Sequence, residues 1–348
     1  VRGLVFRGPA QLAWEEVPTP EIVEPRDALV RPVAVARCDL DLAIALGLYP
    51  MPTAFVMGHE MAGEVVALGD EVSNLSVGDL VIVPFQLSCN RCDPCRRGHT
   101  NACDHVAPGT AFGLGPHGGI DLGGALADLV RVPWADVMLI PLPDGLDPVA
   151  AAGIPDNVAD GYRCVAGPLT ELPGAPVLVV GGLAASVGLY AVMSALALGS
   201  ERVVFVDDDS TRLQIADRLG AEVIDAGGRW EQLGKDLART FPVTVDANVL
   251  DHGRDLAIRT TAPCGTCTSV SGGAGPRASL PLQQMYLSGI RYEIGRVHAH
   301  ATARPVLDLV AAGRLDPLEL VDAVVPFTDA VDAMTDPSVK VVFRNDGT

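Results

Sequence analysis

The sequence predicts an α/β protein of two domains, one β-rich and barrel-like, the other a doubly wound parallel sheet. Three observations carry that prediction. The N-terminal part reads as short alternating runs broken by prolines and Gly-Asp turns, strand-then-helix patterns begin at Pro176, and 348 residues exceed one typical core.

Composition narrows the function before any motif does. A hydrophobic content of 49% is that of a globular chain, and no apolar run reaches the roughly 18 residues of a membrane span. The start, Val1-Arg2-Gly3-Leu4, lacks a signal peptide's apolar region, and so the expectation is a soluble, cytoplasmic protein. With 25 basic against 43 acidic residues the formal charge is −18, which repels a phosphate backbone. Nucleic acid and membrane are therefore not expected partners; a small molecule is.

Taken in order, the run from Ala28 to Val35 is strand-like and carries Cys38 at its end. Leu40, Leu42, Ala43, Ile44 and Leu46 then outline a short helix closed by Gly47. Next come Gly58-His59-Glu60 and strands separated by the turns Gly69-Asp70 and Gly78-Asp79, which suit a compact barrel. Cys38 and His59 are borderline-soft donors that suit Zn²⁺, although on their own they read as readily as structural residues of a strand-rich region.

Cys89, Cys92 and Cys95, with Cys103 after seven further residues, form the strongest local motif. Four thiolates at this spacing close a tetrahedron around one Zn²⁺ and leave no open position, which makes a structural site. Cys264 and Cys267 are also a C-x-x-C, but at a strand entrance with no partner pair, and they read as structural residues.

From Pro176 the apolar run Val177–Val180 leads into Gly181-Gly182-Leu183-Ala184-Ala185-Ser186-Val187-Gly188 and a helix running to Gly199. The strand Val203–Val206 comes next and ends at Asp207, 19 residues beyond Gly188. Strand, small-residue loop, helix, strand and acid in that order describe a dinucleotide site: loop N–H groups and a helix N-terminus face the pyrophosphate, and the acid accepts ribose hydroxyls. Gly181, Gly182, Ala184, Ser186, Val187, Gly188 and Asp207 are its candidates. Asp207, Asp208 and Asp209 would repel a 2′-phosphate, favouring NAD over NADP, while Arg212 pulls the other way. Further strands near residues 223–224, 243–245, 266–270 and 290–294 complete about six. The closing helices and the strand Val341–Phe343 return to the first domain.

Gly58-His59-Glu60, two residues, Gly63, five residues, Gly69, two residues and Val72 resemble the zinc-containing alcohol dehydrogenase signature of the medium-chain dehydrogenase/reductase family. With Cys38, the four-cysteine lobe and the nucleotide unit, the resemblance spans essentially the whole chain. It implies a GroES-like catalytic domain, residues 1–152 with 296–348, around an inserted NAD-binding Rossmann domain, residues 153–295. It implies a homodimer or homotetramer. It makes Cys38, His59 and Asp156 ligands of a catalytic zinc, with Cys164 the competitor for the third place. Glu60 becomes a close neighbour or alternating ligand, Asp41 an acid near the metal, and Lys340 a basic residue meeting the cofactor. Cys89, Cys92, Cys95 and Cys103 resemble the structural-zinc ligands.

The activity so implied is an NAD-dependent interconversion of a primary or secondary alcohol with its aldehyde or ketone. Two departures stand out. Where many relatives have Ser or Thr two residues after the ligand cysteine, this chain has Leu40, and Ala43 replaces a relay histidine. Neither carries a proton, which leaves Asp39, Asp160, His298, His300 or water as relay candidates. The same leucine motivates the alternative of a reductase acting on an activated C=C or C=N bond. A non-catalytic nucleotide-binding protein on this fold is disfavoured by the intact Cys38, His59, Glu60 and Asp156 set. The loop, moreover, is not a strict G-x-G-x-x-G.

Overall fold

Alternation along Ala28–Ala36 buries one face of a central strand, and the antiparallel partner beginning at Glu60 does the same from the other side. The computed structural model in which this pairing is seen describes residues 1–51, 54–115 and 122–347. Two units result, Val1–Ala159 with His298–Thr348, and Asp160–Val297. Among the described residues no helix is long and apolar enough to cross a membrane.

The first unit opens with strands β1 (Arg2–Gly8), β2 (Gln11–Glu16), β3 (Ala28–Ala36), β4 (Phe55–Val56), β5 (Glu60–Leu68), β6 (Leu80–Val83), β7 (Val130–Val132) and β8 (Ile140–Pro141). β2-β1-β4 form one small sheet, and β3-β5-β6-β8 form the run of a larger one, with β7 also pairing β3. Leu4, Phe6, Val30, Val35, Met57, Val83 and Phe343 belong to one buried apolar cluster. The register Ala36↔Glu60 positions two of the candidate ligands: Cys38 lies just past the end of β3, and His59 just before the start of β5. Two residues far apart in sequence thus come out at one end of an antiparallel pair.

Asp160–Val297 contains the doubly wound sheet that the sequence predicts. Its strands are β9 (Val177–Val180), β10 (Val203–Asp207), β11 (Glu222–Asp225), β12 (Phe241–Asp246), β13 (Thr261–Ser269) and β14 (Arg291–Ile294). They are all parallel and run β11-β10-β9-β12-β13-β14. The order reverses between β9 and β12, which is where such sheets bind ligands. β9 is buried along its whole length, as the unbroken apolar run predicts.

Back in the first unit, β15 (Ala323–Pro326) and β16 (Val341–Arg344) extend the larger sheet, β16 pairing antiparallel with β3. This pairing brings Lys340 beside the end of β3. Arg37, only 2% exposed, fixes the approach by donating to the carbonyls of Ala333, Met334, Asp336 and Ser338.

Candidate functional site

Cys38 caps a short helix, α1 (Asp39–Ala45). Its Sγ accepts from Leu40 N at 3.4 Å, and Asp41 Oδ2 accepts from Cys38 N at 3.0 Å. The cap ties thiol and acid to the same turn. His59 follows Gly58, whose φ of +89° and lack of room favour glycine: a Cβ would sit 2.9 Å from Leu126 N.

Asp156 and Asn157 lie on the π-turn Ile154–Val158. Pro155 has no N–H to give a regular ladder, and Val158 N reaches back to Gly153 O at 3.1 Å. The widened turn sets both side chains into the site: Asp156 Oδ2 is 3.2 Å from His59 Nε2, and Asn157 Nδ2 donates to Cys38 Sγ at 3.2 Å and Asp156 Oδ2 at 3.0 Å. Lys340 Nζ donates to Glu60 Oε2 at 2.6 Å, to Asn157 Oδ1 at 2.7 Å and to Arg37 O at 3.0 Å. All of these side chains are buried.

One donor atom from each of Cys38, His59, Glu60 and Asp156 lies within 4.8 Å of the others. Zn–N and Zn–O bonds near 2.1 Å in a tetrahedron put N and O about 3.4 Å apart, and His59 Nε2 to Asp156 Oδ2 is 3.2 Å. His59 Nδ1 stands 3.3 Å from Asp41 Oδ1, near enough to attract but outside hydrogen-bond alignment, and both atoms lack a bond, as does Glu60 Oε1. Burial, then the Asp156 carboxylate, pushes the Cys38 thiol up to about 12. Burial pushes Glu60 up as well, opposed by Lys340; it pushes His59 down, but Asp41 and Asp156 overcome that and raise it. Four ligand atoms crowded out of water, with acceptors left over, are what a divalent cation satisfies.

The second cluster is Cys89, Cys92, Cys95 and Cys103, whose Sγ atoms also lie within 4.8 Å of one another. Four thiolates 2.3 Å from one Zn²⁺ stand about 3.8 Å apart, and Cys92 and Cys103 are 4.0 Å apart. None is in a disulfide. Backbone N–H groups of Arg91 and Cys92 point at Cys89 Sγ, both at 3.4 Å. Burial pushes the Cys92 thiol up, but hydrogen bonds from backbone and neighbouring thiols outweigh it and bring it to about 6. Cys89 is also lowered, whereas burial and neighbouring thiols push Cys95 up and burial pushes Cys103 up. Without a cation the four thiols do not all ionise, and a Zn²⁺ would be what holds them as thiolates.

Comparison with known proteins places the chain in a family. The profile of the alcohol dehydrogenase GroES-like domain matches residues 24–144. A zinc-type alcohol dehydrogenase B of Aspergillus flavus is 30% identical over 344 residues, covering 95% of this chain and 77% of that one. The chain belongs to the zinc-type alcohol dehydrogenases of the medium-chain family. A glutathione-independent formaldehyde dehydrogenase of Pseudomonas aeruginosa is 34% identical over 239 residues, 64% of this chain and 58% of that protein. Among solved structures, an alcohol dehydrogenase from Thermus sp. ATN1 superposes with a TM-score of 0.88 at 29% identity, over 99% of this chain and 100% of that one.

In this zinc-type dehydrogenase chain the nucleotide loop runs from β9 into the helix Ala185–Ala197. A Cβ on Gly181 would run into Asp207 Oδ2 and the Phe205 ring, and one on Gly188 would stand 3.0 Å from Ala247 Cβ. Those two glycines therefore pack strand against helix and acid. Gly182 borders Asn248, whose Nδ2 donates to Gly181 O at 2.5 Å. Ser186 and Val187 are buried in the helix's first turn, and Ala184 is its cap.

Lys340 is 1% exposed, and its Nζ donates to Glu60, Asn157 and the carbonyl of Arg37. Cys164 is not at the metal-ligand cluster; its Sγ donates to Asp160 O at 3.1 Å in the other unit. Of the relay candidates, His300 Nε2 is 2.6 Å from Val137 O, His298 packs against His99, and Asp160 pairs with Arg163. Asn157 and Arg37 were missed by sequence reasoning, since neither belongs to a motif. The one signal available was an amide directly after the proposed ligand Asp156.

Proposed function

We propose that this chain interconverts a primary or secondary alcohol with its aldehyde or ketone by hydride transfer to or from a nicotinamide dinucleotide. The buried Cys38–His59–Asp156 cluster, with Glu60 beside it, carries the reading. A Zn²⁺ held there would supply a Lewis acid for the substrate oxygen, and a bound nicotinamide would supply the hydride acceptor or donor.

The chain's own residues do the rest. Asp41 and Asp156 flank both nitrogens of His59 and hold its ring, against which Phe85 packs with centroids 5.4 Å apart. Lys340 fastens Glu60, and through Asn157 it steadies Cys38 and Asp156. Leu40, two residues after Cys38, packs on the apolar core of its unit. Gly181, Gly182 and the first turn of the helix from Ala185 would take the pyrophosphate. The four-cysteine lobe would hold a second, structural Zn²⁺, giving two per chain. A homodimer or homotetramer is supported by β14, an edge strand among the described residues, and its exposed neighbours Tyr286 and Leu287.

Metal analysis with an alcohol panel read by NADH absorbance tests this reading. We expect two zincs per chain, loss of one in Cys38→Ala, and oxidation of at least one alcohol. One zinc in the intact protein, together with reduction of an enal but no alcohol or carbonyl turnover, would replace it with the C=C reductase.

A further inference from the structure

Asn157 follows Asp156 directly and is 1% exposed. Its amide fits the site one way round only. Lys340 Nζ, an ammonium with donors and no acceptor, stands 2.7 Å from Oδ1, so the oxygen must face it. Turned over, the amide would set N–H against the ammonium and oxygen against a thiol and a carboxylate. Nδ2 therefore lies on the other side, where it donates to Cys38 Sγ at 3.2 Å and to Asp156 Oδ2 at 3.0 Å. Two N–H groups of one rigid amide are thus given to two members of the buried ligand cluster.

These bonds do more than fill space. An N–H donated to a thiolate takes up part of its charge, the more so where the amide is itself polarised by a cation at its oxygen and water is scarce. Cys38 and Asp156 are buried, and so is Lys340. Ammonium, amide and sulfur form one hydrogen-bonded line. Sulfur is also the softest donor of Cys38, His59 and Asp156, the one that would release most electron density to a bound cation.

We propose that Asn157 is a positioning residue that holds down the electron donation of Cys38, so that a cation in the cluster keeps its pull on the substrate oxygen. The inference rests on the reading of Cys38, His59 and Asp156 as ligands. It does not require Asn157 to touch metal or substrate.

The test loads the whole chain with cobalt(II) in place of zinc, because thiolate-to-cobalt charge-transfer absorption reports how tightly sulfur holds its electrons. Cys38→Ser identifies the part of the spectrum that belongs to Cys38 and not to the four-cysteine lobe. Asn157→Leu keeps the volume and loses both N–H groups. In it the Cys38 band should move to lower energy, and kcat for alcohol oxidation should fall about tenfold with KM for NAD unchanged. Asn157→Asp keeps an oxygen for Lys340 but, ionised beside that ammonium, has no proton to give. It should move the band the same way, whereas a space-filling role would leave it in place, and it serves if the leucine variant does not fold. A Cys38 band that stays in place in either folded variant, or one that moves with kcat unchanged, overturns the inference alone. Absence of any Cys38-dependent band in the unaltered chain overturns the ligand reading with it.

Discussion

Replacing Lys340 by methionine removes a buried ammonium and leaves Glu60 buried without its counter-charge. The side chains are 1% and 0% exposed, and Nζ makes contacts of 2.6, 2.7 and 3.0 Å. Breaking a buried pair from one side costs about 3–5 kcal/mol. Losing that counter-charge fixes the sign of the pH dependence. In the variant the folded-state pKa of Glu60 lies above its unfolded value, so the folded chain holds the extra proton and loses stability as pH rises. Glu60 is already raised to about 8 in the unaltered protein, so the two chains gain stability alike as pH falls from 7 to 5.5, and the gap between them should widen only as pH rises above about 8.

Urea unfolding of metal-free protein reads this in a Trp230→Phe background, where fluorescence comes from Trp14 and Trp134 of the first unit and the other unit's transition is not mistaken for it. Combining Lys340→Met with Glu60→Gln removes the orphaned charge and should recover at least half the loss. A cost below about 1 kcal/mol at pH 7, or a gap that does not widen between pH 7 and pH 9, would refute the argument that Lys340 supports the charge of Glu60.

Three further outcomes are expected. Leu40→Thr should raise the rate of alcohol oxidation several-fold by supplying a hydroxyl beside Cys38; an unchanged kcat with unchanged zinc content means another route already carries the proton. Cys92→Ser should lower zinc content by one per chain and the melting temperature with it, leaving the Cys38 cluster loaded; retention of both metals would show that three thiolates suffice. Gly181→Ala drives a methyl into Asp207 and Phe205, and should cost about 1–3 kcal/mol in urea unfolding of Asp160–Val297. An unshifted midpoint would mean that the loop gives way freely.

Much of this was legible in the residues because local rules and fold agree. The six-strand parallel sheet shows itself through runs such as Val177–Val180, where both faces are buried and no alternation competes. The four cysteines are legible because their spacing within one loop is itself the ligand geometry. Asn157 is different: its contact with Cys38 spans 119 residues and that with Lys340 spans 183, and no local pattern encodes either. The π-turn that aims it closes through Val158 N to Gly153 O, and no residue pattern marks it in advance. The contacts of Lys340 with Glu60 and Asn157 are hidden for a related reason. A lone basic residue before a strand looks solvent-facing until β16 is paired against β3.

That pairing also sets a clock. Glu60 and Lys340 are 280 residues apart, and at about 5–20 residues per second a ribosome needs about 15–55 s to make the stretch between them. Throughout that interval β3 and β5 can pair, yet Glu60 has no lysine to meet, and Asp160–Val297 emerges complete before β16 does. The first part of the chain to be made is thus the last to be finished. A nascent chain halted before residue 340 would carry a folded nucleotide unit and a metal cluster still open to water.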